Sequence, residues 1–282
     1  MNLPQDNTTQ KYDYSSFLAQ KVRFDSPSGF DPGESMNGQM FPFQRAIARW
    51  ACRRGRSAVW ADCGLGKTII SLEWLRLVTE REGGSGLVLT PLAVAEQFAE
   101  EGQKFGIHVN VCRDGSEVQP GINVTNYERL HRFDVSQFVA VVADESSILK
   151  DYSSSTRNLL IDSFARTPYR MACTATPAPN DHIELGNHAE FLGALTRTEM
   201  LSTFFVHDGG DTQSWRLKRH AARDFWRWVC SWAVVIRRPS DLGFSDEGYA
   251  LPALRISDVT VYAHDSVAAE MGPLFAVQAS TL

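Results

Sequence analysis

Between residues 43 and 54 apolar side chains recur at helical spacing, through Ile47, Trp50 and Ala51, and Gly55 closes the pattern. The run Ala58-Val59-Trp60 that follows is continuous rather than alternating, which predicts a strand buried on both faces. A glycine turn then leads into a second helical pattern over 67–81, carrying Ile70, Leu72, Trp74, Leu75 and Val78. Further apolar runs stand at 86–90, 108–112, 122–125, 138–143 and 170–173, with helical patterns between several of them, as around 93–102 and 155–164. Short continuous strands alternating with helices predict an α/β fold whose mainly parallel sheet is covered on both faces. After Pro177 the pattern turns helical through Trp232, the run 233–236 reads as one more strand, and Pro239 begins a turn. Residues 1 to about 35 are rich in Asp, Ser, Pro, Gly and Gln without a period, the look of an irregular arm. The segment from about Leu251 is ambiguous.

Two places in this pattern carry chemistry. Ala61-Asp62-Cys63-Gly64-Leu65-Gly66-Lys67-Thr68 joins the first strand to the second helix. Its glycines let backbone amides turn toward phosphate oxygens, Lys67 sets a cation at the outer phosphates, and the Thr68 hydroxyl can ligate Mg²⁺. The helix that follows aims its positive end at the same anion. Ala61 stands where the usual G-x-x-x-x-G-K-[ST] pattern has its first glycine. The second place is Asp144-Glu145, at the end of the run 138–143. In an open parallel sheet ligands bind at that edge, so Asp144 is expected to hold the metal of a bound nucleotide. Glu145 is expected to orient and deprotonate the attacking water.

With these residues in place the sequence resembles the first RecA-like domain of superfamily-two helicases, closest to the Snf-type DNA translocases and their bacteriophage relatives. The resemblance runs from about Phe41 to Pro252 and rests on motifs in order. Phe43-Gln44 with Arg45 looks like the glutamine motif that reads adenine. Leu87-Val88-Leu89-Thr90-Pro91 and Val124-Thr125-Asn126-Tyr127-Glu128 resemble motifs that touch the nucleic-acid backbone, which implies contacts from Thr90, Pro91, Thr125 and Tyr127. Asp144-Glu145-Ser146-Ser147 is similar to the D-E-x-H box, with Ser147 in place of its last residue. Thr174-Ala175-Thr176-Pro177, then Asn180 and Glu184-Leu185, resembles the motif that couples nucleotide state to the track, which gives Thr174 and Thr176 that role.

The resemblance implies a P-loop RecA-like three-layer αβα fold with a helical extension near the C-terminus. Its expected divisions are an arm at 1–35, an ATP-binding domain at 36–181, a helical extension at 182–232, a return strand and turn at 233–250, and a connector at 251–282. It implies ATP and Mg²⁺ as ligands and DNA, duplex rather than RNA, as partner. It also implies a need for a second RecA-like domain, supplied in trans or lost by truncation, whose arginines complete the site. On this reading the chain is the ATP-binding half of a nucleic-acid-dependent ATPase and works weakly alone. The rival is a non-hydrolysing regulatory or assembly subunit that keeps the nucleotide pocket.

Composition narrows the setting. The 282 residues carry a formal net charge of −5, so any nucleic-acid contact must be regional. Five scattered cysteines form no C-x-x-C pair, and no apolar run is long enough to span a bilayer, which points to a reducing cytoplasm; the resemblance implies that of a bacterial or phage-infected cell. Read as one helix, residues 215–232 place Leu217, Ala221, Phe225, Trp228 and Trp232 on one face and Arg216, Arg219, Arg223 and Arg227 on the other. That stripe suits either a phosphate backbone or a solvated surface. The stretch His207-Asp208-Gly209-Gly210-Asp211 reads as a turn rather than a metal site.

Overall fold

A computed structural model describes residues 27–150, 154–178, 180–208, 211–249 and 256–257. Most of the arm and nearly all of the connector therefore lie outside the described residues. The chain divides into two compact units, Met1–Asp246 and Glu247–Leu282. The second is described only at a turn, 247–249, and at 256–257.

The first unit is built on helix α1 (Pro42–Arg54), strand β1 (Arg56–Ala61), α2 (Lys67–Glu82), β2 (Ser85–Thr90), α3 (Ala95–Lys104), β3 (Val109–Val111), β4 (Gly121–Asn126), β5 (Phe138–Asp144), α4 (Ser155–Phe164) and β6 (Tyr169–Thr174). It continues with α5 (Leu185–Leu192), α6 (Arg197–Phe204), β7 (Phe205–Asp208), β8 (Asp211–Leu217), α7 (Ala222–Trp232) and β9 (Ala233–Ile236). Seven strands form one sheet in the order β3-β4-β2-β5-β6-β1-β9, every neighbour parallel. Because side chains alternate across a strand, each strand feeds two cores. Ala58, Trp60, Leu87, Leu89, Val141, Ala143 and Ala172 point into the core shared with α4, α5, α6 and α7. The residues between them, such as Val59, Val88, Val142 and Met171, are equally buried and face the side where α1, α2 and α3 pack. The result is the three-layer αβα sandwich that the continuous apolar runs predict.

The segment read as helical through Trp232 is interrupted. β7 and β8 pair antiparallel, with Phe205 opposite Leu217 and His207 opposite Trp215. The Gly209-Gly210 pair between them lies outside the described residues, but in the sequence a Gly-Gly between β-forming residues is a hairpin signal that competes with the helical period. Arg216 is consequently a strand residue and Arg219 belongs to a 3₁₀ turn, leaving Arg223 and Arg227 on α7. α7 is held down by a chain of aromatic contacts. Trp232 meets Trp60 of β1 edge-on at 5.4 Å, Trp228 meets Trp232 at 5.3 Å, and Phe204 of α6 meets both Phe225 and Trp228 at 5.4 Å. Such pairs contribute about 0.5–1.5 kcal/mol each beyond area burial.

Candidate functional site

In the sheet β1, β6 and β5 are consecutive neighbours. Their C-terminal ends therefore bring the loop after Ala61, the segment after Thr174 and the acids after Ala143 side by side, within about two strand spacings of 4.8 Å. This edge is where an open parallel sheet binds ligands.

The loop is held from three sides. The Asp62 N–H donates to the Ile236 carbonyl at 3.0 Å, tying the loop to the edge strand β9. The Gln44 amide donates to the Leu65 carbonyl at 3.1 Å and accepts from the Phe41 N–H at 3.0 Å. Lys67 Nζ donates to the Ala61 carbonyl at 3.0 Å. Gly66 heads α2 with φ 79°, a left-handed conformation that favours glycine. A Cβ there would also stand 2.3 Å from Gln44 Nε2. Ala61 needs no such freedom. It is the last residue of β1, extended and in register with Ile236, so a side chain is tolerated where the usual pattern has glycine.

Asp62, Cys63 and Gly64 are exposed, and α2 begins with neither a capping side chain nor an acid in its first turn. Its positive end thus faces the loop unneutralised, the electrostatic setting an anion requires. Asp144 ends β5 with 7% of its surface exposed. Burial, aided by the charge of Glu145, pushes its carboxyl up to about 7, against the opposing pull of the Glu145 N–H and Lys67. A cation at this carboxylate would relieve the cost of burying its charge. Glu145 is exposed and sits at φ 47°, the one non-glycine residue in the left-handed region among the described residues. Thr174 Oγ1 lies 3.4 Å from Glu145 Oε2 and accepts the Thr176 N–H at 3.1 Å. The donor set fits a polyphosphate with its Mg²⁺: amides, a helix end and Lys67 for the phosphates, and Thr68 with Asp144 for a metal that keeps most of its water. No group of three or more His, Cys, Asp or Glu side chains able to hold a metal occurs among the described residues, and such a site needs none.

Other expected contacts are rearranged. Gln44 is 4% exposed and its amide is engaged with the chain's own backbone, so it braces the loop. Thr90, Thr125 and Tyr127 are buried. The Thr90 hydroxyl bonds the Pro91 carbonyl, Thr125 bonds the Cys112 carbonyl at 2.8 Å, and the Tyr127 hydroxyl bonds the Asp144 carbonyl at 2.6 Å. Only Pro91 of that group is partly exposed, with Leu92 and Ala93 beyond it fully so. The sequence reading passed over His188 on α5, which is fully buried, stacks edge-on against Trp60 at 5.5 Å, and bonds the Pro177 carbonyl through Nε2 at 3.1 Å. Its position in a helical apolar pattern gave no hint that it reaches the loop after β6.

Two solved structures of the Sulfolobus solfataricus SWI2/SNF2 ATPase core share this architecture. One, in complex with dsDNA, has a TM-score of 0.58 at 20% identity over 72% of this chain and 45% of that one. The other, the core domain, has a TM-score of 0.57 at 22% identity over 74% and 46%. The chain has a RecA-like α/β fold. Protein p41 of Acyrthosiphon pisum secondary endosymbiont phage 1 is 28% identical over 181 residues, 54% of this chain and 38% of its own length. The RecA-like chain thus spans less than half the length of each of these relatives. No protein-family model matches it. No helix among its described residues is long and apolar enough to cross a membrane.

Proposed function

We propose that this RecA-like body binds Mg-ATP at the loop 62–68 and is one wall of a nucleic-acid-dependent ATPase of the helicase or translocase kind. The observation that carries the reading is the uncapped, acid-free start of α2 above two left-handed glycines, with Asp144 and Glu145 two strands away across β6. Bound Mg-nucleotide would supply the phosphoryl group that is transferred. The loop amides and the α2 terminus hold its phosphates, and Lys67 swings from the Ala61 carbonyl to the outer ones. Thr68 and Asp144 hold the metal's water shell. Glu145 orients a water and takes its proton, a role suited to a carboxylate exposed at the surface and held by Thr174. Thr174, within reach of Glu145, links that event to the Thr174–Pro177 segment. DNA as the track is supported by the dsDNA-bound Sulfolobus core of the same fold. A phage protein among the relatives fits work in the cytoplasm of an infected bacterial cell.

Calorimetry tests the pocket. Lys67→Ala is expected to weaken Mg-ATP binding at least tenfold, because it removes the loop's side-chain cation, and unchanged affinity would sink the assignment. Glu145→Gln is expected to bind Mg-ATP as the wild type does while losing its hydrolysis, since an amide can hold a water but cannot accept its proton. A steady-state assay in which the mutant matches the wild type would assign the proton to another group. An absence of turnover in the wild type under every condition, with binding intact, would favour a regulatory subunit.

A further inference from the structure

Between Trp215 and Arg238 the sequence carries seven Lys or Arg residues against a single acid, Asp224, in a chain whose net charge is −5. Part of this excess is organised. α7 buries Phe225, Trp228, Val229 and Trp232 and leaves Arg223, Trp226 and Arg227 exposed, at the i, i+3, i+4 spacing that puts them on one helical face. Arg219, in the 3₁₀ turn just ahead of α7, is exposed as well. Arg223 meets Asp224 only loosely, at 3.7 Å with 81% of its side chain exposed. Between these two arginines Trp226 packs one side of its ring edge-on against the core residue Phe225 at 5.1 Å and keeps 42% of its surface exposed. Its ring meets the exposed His182 edge-on at 5.2 Å. His182 belongs to the turn His182–Glu184 that follows Thr174–Pro177, and Glu184 in that turn accepts from the Asn180 amide at 2.8 Å.

We propose that the face made by Arg219, Arg223, Trp226 and Arg227 grips single-stranded nucleic acid, its phosphates over the guanidinium groups and a base against Trp226, next to the segment that follows β6. The proposal rests on the nucleic-acid part of the proposed function and adds to it a site distant from the ends of β2 and β4, since α7 packs on β1 and β9 at the other side of the sheet. Charge complementarity selects a polyanion, and the exposed aromatic ring selects one that offers unpaired bases. The His182 contact makes the grip adjacent to the segment that Thr174 links to Glu145.

The test is fluorescence anisotropy of a labelled single-stranded oligonucleotide titrated with the 282-residue chain, without nucleotide, at several salt concentrations. Replacing Arg219, Arg223 and Arg227 together by Gln is expected to lower the slope of log affinity against log salt by about 2, at roughly 0.7 per lost phosphate contact. Trp226→Ala is expected to weaken binding about tenfold with the slope kept, and Trp226→Phe to restore most of it. The three arginines are exposed, so thermal unfolding of the triple variant should match the wild type, and Trp226→Phe keeps an aromatic ring against Phe225. If the triple variant nevertheless misfolds, the Trp226 pair decides alone. A wild-type slope in the triple variant, or equal affinity in Trp226→Ala, overturns this grip and leaves the rest of the functional reading standing. No binding of the single strand by the wild type overturns the grip, and no binding of a labelled duplex either overturns the nucleic-acid reading with it. Competition by poly-glutamate as strong as by the oligonucleotide would make the face a dock for an acidic protein and overturn it too.

Discussion

At the scale of single residues, the site is a set of groups whose placement costs stability. Asp144 is the clearest. Its carboxyl is raised to about 7 from an ordinary 3.8, so the folded state holds the proton more tightly than the unfolded chain does. Folding is therefore undisturbed below pH 3.8 and progressively weakened as pH rises to 7, by about 4 kcal/mol once ionisation is complete. Asp144→Asn removes the charge at constant shape. Thermal unfolding should show the variant more stable than the wild type at pH 8, with the gap closing toward pH 4; a gap that does not change with pH would place the carboxylate in a solvated environment. Sequence spacing located this residue at a strand end, and the apolar run before it implied its burial. For Gln44, Thr90, Thr125 and Tyr127 the same reasoning located the backbone but not the direction in which each side chain turns. A motif at a strand end fixes where the backbone goes, whereas alternation and local hydrogen bonds decide whether the side chain faces outward, and here they turn the three hydroxyls inward.

At the scale of elements, the strands were legible because a parallel sheet covered on both faces demands continuous apolar runs, and all seven sheet strands coincide with such runs. The β7–β8 hairpin was not, because Leu217, Ala221 and Phe225 also satisfy a helical spacing and periodicity alone does not arbitrate. Nor was the link from α5 to the segment after β6, which runs through His188. Burial holds that imidazole down to about 4 from 6.5, although its bond to the Pro177 carbonyl acts in the opposite sense. The folded state resists protonation that the unfolded chain accepts. Its contribution is thus whole above pH 6.5 and lost as pH falls to 4, about 3 kcal/mol in all. His188→Gln keeps a donor toward Pro177 without the titration. Between pH 7 and 4 the wild type should lose about 3 kcal/mol more unfolding free energy than the variant in urea melts; parallel pH profiles would mean that the imidazole is charged in the fold at no cost.

At the scale of the whole molecule, the arrangement of the sheet edge leads to the last prediction. The loop residues Asp62, Cys63 and Gly64, the base candidate Glu145 and Thr176 all lie exposed along one edge of the RecA-like body. A nucleotide held there would have its far side open to water, with Lys67 the loop's side-chain cation against the charge that builds on a transferring phosphoryl group. An arginine supplied across such an edge raises turnover by about 10³–10⁵. The 282-residue chain is accordingly expected to bind Mg-ATP yet to turn it over slowly, with little stimulation by DNA. Addition of a second RecA-like lobe, fused or in trans, is expected to raise DNA-stimulated turnover by about three orders of magnitude or more, and removal of that lobe's arginine to abolish the gain while binding persists. Steady-state assays across protein concentration separate the outcomes. Fast, DNA-stimulated turnover per chain that is independent of concentration refutes the prediction, because one RecA-like body would then suffice. Turnover per chain that rises with concentration means that a second copy covers the exposed edge, which keeps the physical requirement and changes only what supplies it.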